Sequence, residues 1–182
     1  MSTEADAIPM HYVCTIEEAR ALLAGREKAW VAVCGCREAK GQCARSRRDV
    51  CLWFDEVPEG YGERRSIGHV EIDALLAHAE EKRLVPRPFR GETDRSRTNG
   101  ICFCCDDCCT YFLDPEERCD KGRKIERTQM DSCTNCGDCV PSCHFHARRM
   151  DGAVLKLSRD ACYGCGLCAA VCPEECVQMV AR

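Results

Sequence analysis

A chain of 182 residues with a formal net charge of −4 is sized for one compact domain or two small ones, and its charge balance argues against a nucleic-acid partner. Its 20 cysteines call for a disulfide framework or for metal. No apolar run is long enough for a signal peptide or a membrane span, so a reducing cytoplasm is the expected compartment and metal ligation the expected use of the thiols.

Residues 1–15 read as a polar leader containing Cys14. Thr15, with Glu17 and Glu18 behind it, predicts the cap of a short helix through Leu22 and Leu23 that stops at Gly25. The apolar run Ala29–Cys34 predicts a buried strand with Trp30 in the core. Cys34–Phe54 reads as a polar loop carrying Cys34, Cys36, Cys43 and Cys51, with Gly35 and Gly41 free to curl around a metal or an anion. Arg45, Arg47 and Arg48 form a basic knot in it: a solvated loop, a patch for an acidic partner, or a counter-charge to a thiolate-ligated cluster. Residues 58–68 are turn-rich. Ile72, Leu75, Leu76 and Ala79 recur at helical spacing, so Ile72–Arg83 predicts an amphipathic surface helix. Leu84–Phe89 contains Pro86 and Pro88 and predicts an edge strand, followed by a polar loop over 90–100.

Five further cysteines, Cys102, Cys104, Cys105, Cys108 and Cys109, crowd Ile101–Phe112. They are expected to fold against the 34–51 loop, so that four of the nine thiols hold one site or eight hold two. Neighbouring side chains point apart, so the pairs Cys104/Cys105 and Cys108/Cys109 imply either two sites back to back or ligands mixed with buried or redox-active thiols. A further iron–sulfur cluster, structural zinc and free or disulfide-bonded thiols are the candidate states. Residues 116–127 read as a charged linker, with Cys119 exposed in it, between a cysteine-rich domain at 1–115 and a second domain at 128–182.

The most specific signal lies in that second domain. Cys133, Cys136, Cys139 and Cys143 are each followed 29 positions later by Cys162, Cys165, Cys168 and Cys172. Two copies of C-x2-C-x2-C-x3-C are the spacing of a two-cluster iron–sulfur protein, and the tight loop fits a cubane better than zinc. Residues 125–182 resemble the bacterial two-cluster 4Fe-4S ferredoxin family. The resemblance implies two hairpins and two short helices around two 4Fe-4S clusters. It implies that Cys133, Cys136, Cys139 and Cys172 hold one cluster, and Cys162, Cys165, Cys168 and Cys143 the other. Gly137 and Gly166 would let backbone N–H groups approach cluster sulfurs. Ala153–Leu157 would be a strand and Val177–Val180 its counterpart in the second half. A domain this small has little other core, so its apo form is expected to be largely unfolded.

Two positions depart from the repeat. His144 stands where the second half has Pro173, and Cys176 where the first has Ala147. His144 reads as a surface or hydrogen-bonded histidine, or as one close enough to the cluster of Cys143, Cys162, Cys165 and Cys168 to make its potential depend on pH. Cys176 reads as a small buried hydrophobe or a spare thiol beside the first cluster. The N-terminal part looks like cysteine-rich regions upstream of ferredoxin domains in proteins of anaerobic bacteria, through its C-x-C and C-x-C-C-x2-C-C patterns.

The expected class is α+β: a two-cluster ferredoxin-like domain preceded by a small cysteine-rich α/β metal-binding domain. No nucleotide-binding, metalloprotease or radical-enzyme motif is present. The expected function is relay of single low-potential electrons between redox partners such as an oxidoreductase or a flavoprotein, as a free carrier or as part of a larger complex. An enzyme subunit with an open iron in an N-terminal cluster, and a zinc-stabilised docking module, are the alternatives.

Overall fold

The computed structural model describes residues 8–55, 57, 63–114 and 116–182. In chain order the first part contains β1 (His11–Tyr12), α1 (Ile16–Leu23), β2 (Lys28–Ala32), α2 (Gly35–Lys40), β3 (Cys51–Trp53), β4 (Arg64–Gly68), α3 (His69–Glu81), β5 (Val85–Arg90), β6 (Thr98–Cys104), α4 (Thr110–Leu113) and β7 (Cys119–Asp120). The strands form one sheet in the order β4-β2-β3-β6-β5-β1-β7. Its pairs are antiparallel except β1 with β7.

Helix α1 begins where Thr15 and Glu18 close a capping box, each side chain bonding the other's backbone N–H. Ala19 and Leu23 of α1, with Ile72, Leu75, Leu76 and Ala79 of α3, pack on Val31, Leu52, Ile67, Ile101 and Phe103 of the sheet. Both helices therefore cover one face, as their apolar spacing requires. Strand side chains alternate, so Cys102 and Cys104, set between Ile101 and Phe103, project from the opposite face. Arg87 lies opposite Cys102 in the β5·β6 ladder and shares that face.

Several expectations fail here for physical reasons. Leu84–Phe89 is not an edge: β5 sits inside the sheet between β6 and β1. Pro86 and Pro88 are tolerated because their missing N–H groups face the short β1 side. There Pro86 O still accepts from Cys14 N (3.1 Å), and Arg90 N donates to Met10 O (2.8 Å). The loop at Cys34–Phe54 contains α2 and β3. The leader contains β1, with residues 1–7 outside the described residues. Of the turn-rich stretch, 58–62 lie outside the described residues and Arg64–Gly68 pairs with β2. The loop over 90–100 gives way to β6 at Thr98. Trp30 is half-buried, opposite Trp53, rather than in the core.

Gly100 is where β3, β5 and β6 meet. A Cβ there would overlap the Leu52 carbonyl oxygen and the Phe89 ring. Gly100→Ala should cost about 3 kcal/mol, read as a lowered urea midpoint with an unchanged slope.

The second part contains β8 (Lys124–Thr128), β9 (Arg148–Asp151), β10 (Val154–Leu157), α5 (Leu167–Ala170) and β11 (Val177–Ala181). β9 and β10 form a hairpin, and β8 pairs with β11. At the 29-residue offset, β8 corresponds to β10 and β9 to β11, which corrects the pairing of Ala153–Leu157 with Val177–Val180 as counterparts. The repeat extends to the backbone. Asn135 and Gly164, Gly137 and Gly166, and His146 and Glu175 all have positive φ, from 49° to 85°. In the first half the segment equivalent to α5 is wound as successive turns, with Val140 N on Gly137 O and Cys143 N on Val140 O.

Residues 116–127, expected as a linker, carry β7 and most of β8. Gly122 between them donates to Tyr163 O (2.9 Å), packed too closely on Val13 O to admit a side chain. Val13 and Val85 of the first part share an apolar cluster with Cys165 and Leu167 of the second. Among the described residues no helix is long and apolar enough to cross a membrane.

Candidate metal centres

The C-terminal thiols gather in two pockets. One is lined by Cys133, Cys136, Cys139 and Cys172, the other by Cys143, Cys162, Cys165 and Cys168. Each pocket thus takes three thiols from one half of the repeat and the fourth from the other. The left-handed backbone at Asn135, Gly137, Gly164 and Gly166 folds each three-cysteine loop around its pocket. At Gly164 a Cβ would strike the Lys124 carbonyl, whereas the mate Asn135 uses its side chain to accept from Leu155 N (2.9 Å). Burial pushes the Cys165 and Cys168 thiols up to about 12. They would surrender their protons only to a strong Lewis acid, as iron is.

Arg148 lines both pockets. It is 3% exposed, donates from Nη1 to Cys139 Sγ (3.3 Å), and from Nη2 to Glu126 (2.7 Å) and Thr128 Oγ1 (2.8 Å). Glu126 is equally buried. A buried ion pair aimed at four-thiol pockets suits an anionic cluster, whose thiolates and sulfides accept the remaining donors. The donor sets therefore fit two 4Fe-4S clusters. Cys176 lines the first pocket with its Sγ 3.4 Å from Cys172 Sγ, so it is buried and also a fifth thiol at that pocket.

The nine N-terminal thiols do come together, and the adjacent pairs split. Cys43, Cys105 and Cys108 form a triangle with Sγ separations of 3.5–3.6 Å. Arg37, fully buried in α2, approaches Cys105 Sγ at 3.8 Å. Burial opposes ionisation of Cys43, but bonds from Arg37 and the Arg45 and Ser46 amides outweigh it and draw the thiol down to about 7. Cys104 and Cys109 point the other way, into a ring with Cys34, Cys36, Cys51 and Cys102. Around it Cys34 interacts with Cys36 and Cys51, Cys36 with Cys109, Cys109 with Cys104, and Cys104 with Cys102. Cys51 and Cys102 close it at 4.0 Å. Arg87, 2% exposed, reaches Cys109 Sγ at 3.1 Å and Cys104 Sγ at 3.6 Å.

His144 does not face a cluster pocket. It is buried, with Nε2 donating to Arg83 O (2.8 Å) just past α3 and Nδ1 3.4 Å from Asp106. It ties the second part of the chain to the first. The basic knot is also not a free patch: Arg45 pairs with Asp106, Arg47 with Asp49 (3.1 Å), and Lys40 holds Asp107 (2.7 Å). Cys119 is half-buried in β7, where burial outweighs the nearby Arg87 and pushes its thiol up to about 11. The buried charges Arg37, Arg87, Glu126 and Arg148 were not anticipated from sequence. For Arg148 the repeat held the clue, an arginine opening a strand where its mate is Val177.

Residues 126–179 match a family model described as a 4Fe-4S dicluster domain. A curated relative, one of the subunits of an ion-translocating oxidoreductase complex from Methanosarcina acetivorans, is 27% identical over 60 residues, 33% of this chain and 23% of the relative. The pyruvate synthase subunit PorD of Thermotoga maritima is 38% identical over 50 residues, 27% of this chain and 50% of the relative. The chain spans half or less of either relative's length.

Proposed function

We propose that the chain is an electron relay, built on a C-terminal pair of 4Fe-4S clusters and serving an oxidoreductase or flavoprotein partner in a reducing, cytoplasmic compartment. The carrying observation is the exchange of the fourth thiol between the halves, which supports Cys133, Cys136, Cys139 and Cys172 as one ligand set and Cys143, Cys162, Cys165 and Cys168 as the other. Clusters bound there supply one-electron couples. The chain's own part is to hold them by thiolates, exclude water, and set Arg148 between them as a fixed positive charge. The likeness to subunits of an oxidoreductase complex and of a pyruvate synthase supports a role as a component or close partner of a larger oxidoreductase. At Cys43, Cys105 and Cys108, sulfurs 3.5–3.6 Å apart approach the roughly 3.8 Å edge of a tetrahedral zinc–thiolate site. This favours a single zinc-class ion at that triangle.

The ligand exchange has a direct test. In dithionite-reduced full-length protein, Cys143→Ala should abolish the same electron paramagnetic resonance signal as Cys162→Ala. Cys172→Ala should instead abolish the signal lost in Cys133→Ala. If Cys143→Ala and Cys133→Ala remove the same signal, each half holds its own cluster and the exchanged arrangement is wrong.

A further inference from the structure

The six-thiol ring on the open face of the sheet is a site distinct from the Cys43, Cys105 and Cys108 triangle. Cys34, Cys36, Cys102, Cys104 and Cys109 line a cavity of about 230 Å³, which Cys108 of the triangle also borders and which Arg37 and Arg87 line. Cys51 backs it against Cys102. Both arginines are at least nine-tenths buried, yet Nε and Nη1 of Arg37 and Nε and Nη2 of Arg87 have no hydrogen-bond acceptor among the described residues. Glu117 stands 3.7 Å from Arg87 Nη2 but is itself 38% exposed. Two buried guanidiniums with idle donors are strongly destabilising unless an anion meets them. A cubane with four thiolate ligands is a dianion in its oxidised form, with sulfide and thiolate sulfurs as acceptors.

Sulfur spacing separates the two N-terminal sites. The thiols of the triangle all lie within 4.8 Å of one another, and among the described residues the ring offers no such trio. Nor do the two C-terminal pockets. A single ion draws its ligands together; a cubane gives each thiolate its own iron and holds them apart.

We propose that the ring binds a third 4Fe-4S cluster through four of its six thiols, with Arg37 and Arg87 as its buried counter-cations. The site also adjoins the C-terminal pair. Tyr111 lines the ring cavity beneath Arg87, whose guanidinium carbon is 4.2 Å from the ring centroid. The same tyrosine ring is 6.2 Å from Phe145 and 6.2 Å from Tyr163, which stack on each other at 4.4 Å and line the second pocket. The three centres thus follow one another in packed sequence, and the third terminates the relay. Binding of the third cluster is independent of the C-terminal ligand sets; its place at the end of the relay rests on the function proposed above.

Iron and sulfide on anaerobically purified full-length protein should come to about twelve each per chain. The triple variant Cys34→Ala/Cys36→Ala/Cys104→Ala leaves three ring thiols and should lose about four irons and one reduced-state resonance, keeping the two C-terminal signals. Cys43→Ser should keep all three signals. Alkylation mapping needs no variant: at least four of the six ring thiols should resist iodoacetamide until iron is chelated. About eight irons in a wild type that shows both C-terminal signals, or modification of three or more ring thiols in fully loaded protein, overturns the proposal. A missing C-terminal signal removes about four irons of its own and bears on the ferredoxin-like half; the ring is then read from its own resonance, whose absence in the wild type or survival in the triple variant overturns the proposal.

Discussion

Removing iron from the full chain should unfold residues 126–179 and leave the seven-stranded sheet folded. The buried cluster that joins the repeat halves has five members, of which Cys139, Cys168 and Cys176 are cysteines and only Leu155 and Val177 are ordinary apolar residues. Without metal those thiols surround space rather than fill it, and the apolar area left is too small to offset chain entropy. The sheet's core is different. Among the described residues it has eighteen buried members, fifteen of them ordinary apolar side chains from α1, α3, the sheet and its connecting loops. Hydrogen exchange after chelation should show the β9, β10 and β11 amides unprotected. Amides of Val31, Leu52 and Ile101 should keep protection worth about 5 kcal/mol or more. Protected β9 and β10 amides in iron-free protein would mean that this half folds without its clusters.

Breaking the Arg148–Glu126 pair should have the largest effect of any single charge change. Arg148→Met leaves the Glu126 carboxylate buried and unpaired, at a cost of about 3–5 kcal/mol, and should sharply lower cluster retention. Glu126→Gln is milder, because the amide still accepts from Arg148. It leaves an uncompensated positive charge beside both centres, which favours the reduced state. A unit charge about 7 Å away at an effective dielectric near 20 is worth about 2 kcal/mol, or roughly 90 mV for a one-electron couple. Both midpoints should rise, and that of the centre proposed in the Cys143, Cys162, Cys165 and Cys168 pocket should rise more, since Glu126 lines that pocket and not the other. Shifts under about 10 mV in a redox titration would show that the pair acts on stability and not on potential.

Local features were legible before the fold was known wherever a short stretch carries its own instruction. Thr15 and Glu18 specify a cap within one turn. Ile72, Leu75, Leu76 and Ala79 specify a helix face. The I-C-F-C alternation at 101–104 carries an equally local strand signal, masked by the crowding of cysteines that follows it. The prolines of β5 misled because a proline's missing donor matters only on the side it faces, and that side depends on which strand arrives there.

The 29-residue repeat by itself determined the C-terminal half, down to left-handed residues at matching positions, because identical spacing of ligands and glycines imposes the same backbone path twice. What only the tertiary structure decided is how the other thiols are divided. Cys104 and Cys105 are neighbours in the chain and face different groups of thiols, since a strand end and a turn send consecutive side chains to opposite sides. The choice between the triangle and the ring then depends on Cys43 and Cys34, more than 60 residues away in the chain. Arg37, Arg87 and Arg148 are likewise ordinary arginines in the sequence. Burial against sulfur, which no local pattern encodes, sets them beside the thiols of the candidate metal centres.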